Sequence, residues 1–170
     1  MINDVFEVIC GKVSKKHLTF KTFILRKYFK QMLRKANERL IVLSNNQFRL
    51  QCRDLDELTS KGQIQIGLDI DVYNMVTNKV SDAKALSGGE SFITALSMAL
   101  GMADLIQLNN GSVRIDTMFI DEGFGSLSDE VRNQAVSILQ GMTDQNRLIG
   151  IISHVSELKN QVDTQLIVTK

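Results

Sequence analysis

The stretch DTMFIDEGFGSLSDEVRNQAVSILQGMTDQNRLIGIISH, residues 116–154, decides the fold. Its apolar run Asp116–Asp121 predicts a buried strand, and Arg147–Ser153 predicts a second one. Between them, Ser128–Gly141 has the apolar spacing of a helix. The order strand, helix, strand is typical of a parallel α/β sheet.

The sequence on either side of this unit predicts further elements. A helical turn at Val155–Asn160 and a last strand at Gln165–Thr169 follow it. Before it, Glu90–Leu108 is almost continuously apolar, which predicts a helix buried in the core. Earlier still, Gln47–Cys52 and the alternating segment Gln63–Val72 predict antiparallel strands. The expected fold class is therefore α/β, with antiparallel strands leading into a parallel sheet with flanking helices.

The positive charge is concentrated near the start of the chain. Between Lys12 and Arg39 there are ten basic residues and one acidic residue. This segment carries +9, so the remaining residues carry −8, because the whole chain is +1. Apolar residues three and four apart predict a helix over Thr22–Leu43. The charge indicates a phosphate-rich or acidic partner, and the alternative is the solvated face of an amphipathic helix.

Composition excludes several classes of protein. The 170 residues are 44% apolar and 23% charged, which is typical of one globular domain and not of a disordered chain. Two cysteines and two histidines are too few for a disulfide scaffold or a structural zinc site. No signal peptide and no apolar run as long as a membrane span is evident, so we expect a cytoplasmic protein without a membrane partner.

The segment Leu86-Ser87-Gly88-Gly89-Glu90 directly precedes the apolar helix. Ser87 and Glu90 have the spacing of a capping box, which fixes the start of a helix. The two glycines leave backbone N–H groups open at the positive end of the helix dipole, which favours an anion. The alternative is a capped helix with no ligand.

Two carboxylates and a histidine follow the predicted parallel strands. Asp121 and Glu122 end the first strand, and His154 ends the second. Ligands bind at this edge of parallel sheets. There Asp121 can hold Mg²⁺ while Glu122 orients and deprotonates a water. His154 can contact a terminal phosphate. The alternatives are solvated charges at a turn and a structural histidine.

The order and spacing of these pieces resemble the C-terminal lobe of ABC-type ATPases. The pieces there are the signature motif, the Walker B strand with its catalytic glutamate, the D-loop and the switch histidine. The similarity is closest to the SbcC family, the SMC-like ATPase subunits of a bacterial nuclease complex, and covers about Leu18 to Lys170. Four stretches carry it: Ala36–Leu40, Gln47–Leu50, Leu86–Phe92 and Asp121–Leu127.

The resemblance implies ATP and Mg²⁺ as ligands and assigns a role to each motif. Glu122 is the implied catalytic base, His154 the γ-phosphate sensor, and Asp121 the magnesium residue, through water. The signature residues Leu86, Ser87, Gly88, Gly89 and Glu90 are implied to contact ATP bound by the opposing subunit. The implied D-loop consists of Gly125, Ser126, Leu127 and Ser128, with serine at position 128 where the family usually has aspartate.

One part of such an ATPase is missing from the sequence. The 170 residues contain no Gly-x-x-x-x-Gly-Lys-Ser/Thr motif. Gly62 and Gly67 have the right separation, but Leu68 and Asp69 follow them in place of lysine and serine or threonine. The resemblance therefore implies that an N-terminal P-loop lobe of the same protein completes the site, and that this chain alone is inactive. Residues 1–17 are expected to be a coiled-coil stub and connector, and residues 18–170 the C-terminal lobe.

The resemblance also implies partners. These are a second SbcC-like protomer in a homodimer, an SbcD-like nuclease contacting Thr22–Leu43, and DNA. The implied activity is ATP-dependent control of cleavage at DNA double-strand ends and hairpins. Two alternatives remain at this point: a chromosome-organising ATPase lobe of the SMC or RecN type, and a non-catalytic module for DNA binding or dimerisation.

Overall fold

The computed structural model describes residues 19–54, 68–109, 115–143, 147–162 and 164–168. In chain order the helices and strands are α1 Phe20–Leu43, β1 Phe48–Cys52, β2 Ile70–Asn74, β3 Lys79–Asp82, α2 Gly88–Asn109, β4 Thr117–Asp121, α3 Asp129–Thr143 and β5 Leu148–Ile152. Short 3₁₀ turns lie at Ala83–Ala85, Phe124–Ser126 and Ser156–Gln161. The predicted fold class is confirmed.

The first sheet is antiparallel and has the order β1-β2-β3. Its strand β1 agrees with the prediction, whereas β2 runs on to Asn74, beyond the predicted end at Val72. Residues 63–67 of that prediction lie outside the described part of the chain. Strand β3 was not predicted. Its four residues are all exposed, so they show no in-and-out alternation for a sequence pattern to detect.

Helix α1 is tied to this sheet by one asparagine. The Asn37 side-chain amide donates to the Leu50 carbonyl and accepts from the Leu50 N–H, both at 2.8 Å. These two bonds satisfy backbone groups of β1 on the side away from β2. The helix begins at the Thr19 cap, whose hydroxyl accepts from the Thr22 N–H, and ends before Asn45 and Asn46, which have positive φ angles.

The second sheet consists of the parallel pair β4 and β5, as predicted. Asp121 lies opposite Ile152 at the carboxyl end of both strands. The ladder continues one residue further, because the Glu122 N–H donates to the Ile152 carbonyl at 2.9 Å. Helix α3 connects the two strands. The carboxyl end of β4 and the residues after β5 therefore lie side by side.

Helices α1 and α2 pack together at very close range. A Cβ built on Gly101 of α2 would lie 2.6 Å from the Ala36 nitrogen of α1. Leu40 and Leu100 are completely buried in the core that the two helices share with the sheets. The predicted core helix is present, with Ile93, Leu96 and Leu105 also buried, but it is not buried all round. Met102, for example, is exposed, because the described elements cover mainly one face of this helix.

The Gly88–Leu108 stretch of α2 is long and apolar enough to cross a membrane, with a mean hydropathy of 1.5 over its most apolar 18 residues. The expectation that no stretch of the sequence has this length and composition is therefore wrong. A soluble core helix passes the same test, and 44% of that window is buried against the rest of the protein. Its close packing on α1 is typical of such a core helix.

The end of the chain corrects another prediction. The helical turn is present, at Ser156–Gln161, but residues 164–168 form no strand. Leu166, Ile167 and Val168 are exposed, because no described strand lies beside them to form hydrogen bonds. The predicted coiled-coil stub and connector at 1–17 lie outside the described residues.

Candidate functional site

The signature segment begins α2 with the predicted capping box. The Ser87 N–H donates to Glu90 Oε2 at 2.8 Å, and the Glu90 N–H donates to Ser87 Oγ at 3.4 Å. Ser87 and Gly88 are exposed, and a Cβ on Gly88 would meet nothing within 4 Å. The helix start is therefore fixed by side chains of the segment itself and is open to a second molecule.

The D-loop residues lie directly against the signature segment. A Cβ on Gly89 would come within 2.9 Å of the Ser126 carbonyl oxygen, so glycine permits this backbone contact. A cleft of about 200 Å³ lies beside the contact. It is lined by the signature residues Ser87, Gly89 and Glu90, by the D-loop residues Ser126–Ser128, and by Leu43–Asn45 and Gln47–Phe48, from the end of α1 to the start of β1.

Glu122 and His154 meet at the carboxyl end of the parallel strands. Glu122 Oε1 lies 3.1 Å from His154 Nδ1, and their side chains are 57% and 77% exposed. Glu122 has a φ of 60°, outside the extended backbone of β4, which turns it out of the strand. The structure therefore brings together the predicted catalytic base and the predicted phosphate sensor at a site open to solvent.

Asp121 lies next to this pair as the last residue of β4, and its side chain is exposed. Among the described residues no cluster of three or more histidine, cysteine or acidic side chains is positioned to hold a metal. A single carboxylate at a strand end fits Mg²⁺, which binds through one or two carboxylates while waters and phosphates complete its shell. It does not fit a metal enclosed by protein ligands.

The D-loop is held in place by one buried ring and by hydrogen bonds. Phe124, which is completely buried, precedes it and packs edge-on against Phe92 of α2, with ring centroids 5.0 Å apart. Ser126 Oγ donates to the Gly123 carbonyl at 2.8 Å. Ser128 is exposed, and its carbonyl accepts the Arg132 N–H as the first hydrogen bond of α3.

Arg132 is the residue of this site that the sequence did not indicate. Its guanidinium donates to the backbone carbonyls of Phe124, at 3.4 Å, and Leu127, at 3.1 Å, and pairs with Asp129 at 3.0 Å. In the sequence, Asp129 and Arg132 have the spacing of an ordinary exposed helical ion pair. Nothing in that spacing indicates that the arginine side chain is only 10% exposed.

The structure thus groups the predicted residues into two sets. Glu122 and His154 form one, next to Asp121, and the signature segment with the D-loop forms the other. The catalytic pair does not line the cleft beside the second set. The turn after Glu122 connects the two sets, since it leads from β4 directly into the D-loop.

Comparison with solved structures defines the class of fold. An SMC ATPase structure, from work on the ATP-driven dimerization and DNA-stimulated activation of SMC ATPases, matches 88% of this chain and 83% of its own, with a TM-score of 0.61 and 17% identity. The Smc head domain from Pyrococcus furiosus, bound to the C-terminal domain of ScpA, matches 84% of this chain and 33% of its own, with a TM-score of 0.56 and 21% identity. The fold is that of SMC ATPase heads.

Sequence comparison narrows the resemblance. Residues 67–141 match the family model "SbcC/RAD50-like, Walker B motif". The chain is 40% identical over 161 residues, 95% of its length, to the SbcC protein of the SbcCD nuclease from Staphylococcus aureus strains JH9 and Newman. It spans 15% of the length of these relatives. The predicted resemblance to SbcC is therefore confirmed.

Proposed function

We propose that this chain is the C-terminal half of an SbcC-like ATPase head, which binds and hydrolyses ATP together with a P-loop lobe. The observation that carries the proposal is the 3.1 Å pair of Glu122 and His154, next to Asp121, at the carboxyl end of two parallel strands. A carboxylate base and a histidine at this edge would act on one bound phosphate and its attacking water.

Each residue of this set has a defined task in the proposed reaction. Glu122 orients the water and accepts its proton, and the hydrogen bond to His154 limits the directions in which the carboxylate can point. The exposed Asp121 contributes to magnesium binding through water. Mg²⁺, when bound, neutralises charge that develops on the phosphates. The P-loop lobe would supply the contacts to the β- and γ-phosphates.

The second set of residues would act on a different ATP molecule. The exposed Ser87 hydroxyl and the N–H groups of Gly88 and Gly89, in the first turn of α2, would bind the γ-phosphate of ATP held by a second protomer. ATP would then join two heads, and hydrolysis would release them. The D-loop would lie between the two ATP sites, and Asp129 would take the place of the usual aspartate at position 128. We infer that this cycle controls DNA cleavage by a partner nuclease.

An exposed apolar sheet face supports the proposed P-loop lobe. On one side of the parallel pair, Phe119, Leu148 and Ile152 are 69%, 63% and 56% exposed. Three large apolar side chains on one face of a two-stranded sheet indicate a surface that another element covers. A P-loop lobe of the same protein would extend the sheet and cover this face.

Helix α1 would serve the remaining partners. Lys21, Lys27, Lys30 and Arg34 are exposed, whereas Arg39 pairs with Asp104 of α2 at 2.8 Å. Phe20, Phe23 and Tyr28 are also exposed. Exposed aromatic side chains favour a protein partner, so we propose that this helix contacts an SbcD-like nuclease, with DNA phosphates as a further partner, in the cytoplasm. Binding to phosphates would weaken as salt increases.

The test is calorimetric titration of Mg·ATP into this chain alone and into its mixture with the P-loop lobe of an SbcC-like protein. We expect binding only in the mixture, accompanied by ATP hydrolysis. Tight binding by the chain alone would contradict the proposed division into two lobes. A mixture that assembles but neither binds nor hydrolyses ATP would contradict the proposed function.

Replacing Glu122 by glutamine tests the role of the base. We expect Glu122→Gln to lower ATP hydrolysis by the mixture by roughly 10²- to 10⁴-fold, because the amide accepts no proton. ATP binding should persist and the dimer should accumulate, measured by light scattering. Glu130→Gln, a nearby exposed glutamate on α3, is the matched control and should hydrolyse ATP at the original rate. Equal rates for both variants would exclude Glu122 as the base.

A further inference from the structure

We propose that Arg132 is a positioning residue that fixes the shape of the D-loop, Gly125–Ser128, and links it to the segment that follows the switch histidine. The proposal rests on the proposed function, in which the D-loop lies between two ATP sites. It concerns a residue of α3 that is not expected to touch ATP. Its basis is the set of hydrogen bonds that one nearly buried guanidinium group makes.

The Arg132 guanidinium group hydrogen-bonds to the backbone at two points of the loop region. It donates to the carbonyl of Phe124, just before the loop, and to that of Leu127 within it. The group is planar and rigid, with five N–H donors in fixed directions. Two of its donors therefore set the separation between these two carbonyls. Lysine offers a single ammonium on a flexible stem and cannot fix that separation in the same way.

Other hydrogen bonds also hold the loop, among them the 2.8 Å bond from Ser126 Oγ to the Gly123 carbonyl. Within its 3₁₀ turn, the Ser126 N–H donates to the Gly123 carbonyl at 3.3 Å, and the Leu127 N–H donates to the Phe124 carbonyl at 3.2 Å. Both distances are at the long end for an N–H···O bond. The Leu127 carbonyl accepts from Arg132 at 3.1 Å, so the arginine contributes to its order, whereas the Phe124 carbonyl accepts from both Arg132 and the Leu127 N–H.

The same guanidinium reaches two acidic side chains. It pairs with Asp129 at 3.0 Å and lies 4.0 Å from Glu157 Oε2. Glu157 follows His154 by three residues. Arg132 thus contacts both the D-loop and the turn after the histidine that hydrogen-bonds to Glu122. A movement of either segment changes the surroundings of one buried charge, which is costly to leave without its partners.

The position of the loop also matters for the signature segment. The Ser126 carbonyl oxygen lies against Gly89, since a Cβ built on this glycine would be only 2.9 Å from that oxygen. A shift of the D-loop would therefore move it into or away from the start of α2. Arg132 would act on both sets of site residues through the loop that connects them.

The test compares Arg132→Met, which keeps the length of the side chain, with Arg132→Lys, which keeps its charge. ATP hydrolysis is measured in the mixture with the P-loop lobe. We expect Arg132→Met to lower kcat at least tenfold with less than a threefold change in KM for ATP, and Arg132→Lys to restore part of kcat. Hydrogen exchange of the Ser126 and Leu127 amides in this chain should accelerate at least tenfold in Arg132→Met.

Arg53→Met is the matched control. Arg53 also pairs with two acidic residues, Asp71 and Asp82, but these lie in the antiparallel sheet and neither belongs to the site. We expect this variant to lose stability while keeping the original kcat below its melting temperature. Because the exchange measurement needs no ATP, and Arg132→Lys keeps the buried charge, the proposal stays testable if Arg132→Met folds poorly.

Three results would overturn either the proposed role of Arg132 or the proposed function. An unchanged kcat in Arg132→Met, with hydrolysis still abolished by Glu122→Gln, would overturn the role of Arg132 and leave the proposed function intact. Equal losses of kcat in Arg132→Met and Arg53→Met would mean that Arg132 contributes only to general stability, and would also overturn its proposed role. Hydrolysis that is insensitive to Glu122→Gln would instead overturn the proposed function.

Discussion

Gly123 combines two constraints that only glycine satisfies. Its φ is +93°, a conformation that side chains with a Cβ rarely adopt. A Cβ at this position would also lie 2.1 Å from Cδ2 of the Phe92 ring, which packs against the buried Phe124. The turn between the catalytic pair and the D-loop therefore depends on this residue.

Gly123→Ala should destabilise the chain by about 2 to 4 kcal/mol, from backbone strain and displacement of the Phe92 ring. The measurement is urea denaturation followed by circular dichroism. Gly125→Ala is the control, since a Cβ there meets only Val155 at 3.7 Å, an ordinary contact. The control should change the free energy of unfolding by less than about 1 kcal/mol. A neutral Gly123→Ala variant would show that this turn has another conformation available.

At the scale of elements, the approach of α1 to α2 decides how the signature helix is seated. Gly101 occupies the contact with Ala36, and alanine or any larger residue would force the helices apart. Two effects oppose each other in a substitution here. Alanine favours a helix interior by about 1 kcal/mol over glycine, whereas overpacking costs about 1 to 3 kcal/mol.

We expect the packing cost to exceed the helix preference, so Gly101→Ala should lower the free energy of unfolding by about 1 to 2 kcal/mol. The matched control is Gly141→Ala in α3, where a Cβ meets nothing within 4 Å. There the helix preference acts alone, and the variant should gain up to about 1 kcal/mol. Denaturation of both variants gives the comparison. A gain in both would mean that the helices separate at no cost.

The antiparallel sheet has its own electrostatic tie. Arg53 follows β1 and pairs with Asp71 of β2 at 2.6 Å and Asp82 of β3 at 2.8 Å. Hydrogen bonds from the Lys84 N–H and then from Arg53 lower the pKa of Asp82. A carboxyl whose folded-state pKa is lowered stabilises the fold above its ordinary pKa, and this contribution is lost as pH falls through the folded-state pKa.

The wild-type chain should therefore lose part of its stability below about pH 4, and Asp82→Asn should show a shallower loss over that range. Thermal unfolding between pH 7 and pH 2.5 measures both curves. In an Arg53→Met background, where one of the two hydrogen bonds is absent, Asp82→Asn should change the acid slope less. Identical acid curves for wild type and Asp82→Asn would rule out this contribution. Since Asp82 is exposed, the expected effect is small.

At the scale of the whole molecule, the exposed face of the parallel sheet is the feature to explain. If a P-loop lobe covers Phe119, Leu148 and Ile152, polar replacements there should weaken assembly without unfolding the chain. We expect Leu148→Ser to lower the affinity for the lobe at least tenfold, because a buried leucine contributes about 1.5 to 3 kcal/mol. Val76→Ser is the control, at an exposed apolar residue of the turn between β2 and β3. Calorimetry of the two variants would exclude this interface if both bind alike.

Strong local signals made most of the fold predictable from the sequence. In α1, apolar residues three and four apart have the period of a helix, and the short apolar runs of β4 and β5 on either side of a helical segment are typical of buried parallel strands. The signature capping box is a contact between residues three apart, so its geometry follows from spacing alone. Strand β3 and the exposed end of the chain were mispredicted because pairing depends on neighbours, which a local pattern does not reveal.

The candidate site, too, was predicted from the sequence only in part. Asp121, Glu122 and His154 were identified from their positions after apolar runs, because parallel strands end at a common edge. Their 3.1 Å contact depends on the register in which Asp121 lies opposite Ile152. Arg132 was missed, since its acceptors are backbone carbonyls and any sequence supplies those.

The sequence by itself therefore determined most of the elements, their order, the motifs and the family they resemble. The elements and motifs follow from composition, period and spacing along the chain, whereas the family is a resemblance that the motifs carry. Tertiary structure alone decided the burial of Arg132 under the D-loop, the backbone contact of Gly89 with Ser126, and the closeness of α1 to α2 at Gly101. The last two contacts join residues far apart in the chain, and the first joins a side chain to backbone carbonyls. Their distances come from how helices, strands and loops pack around one core.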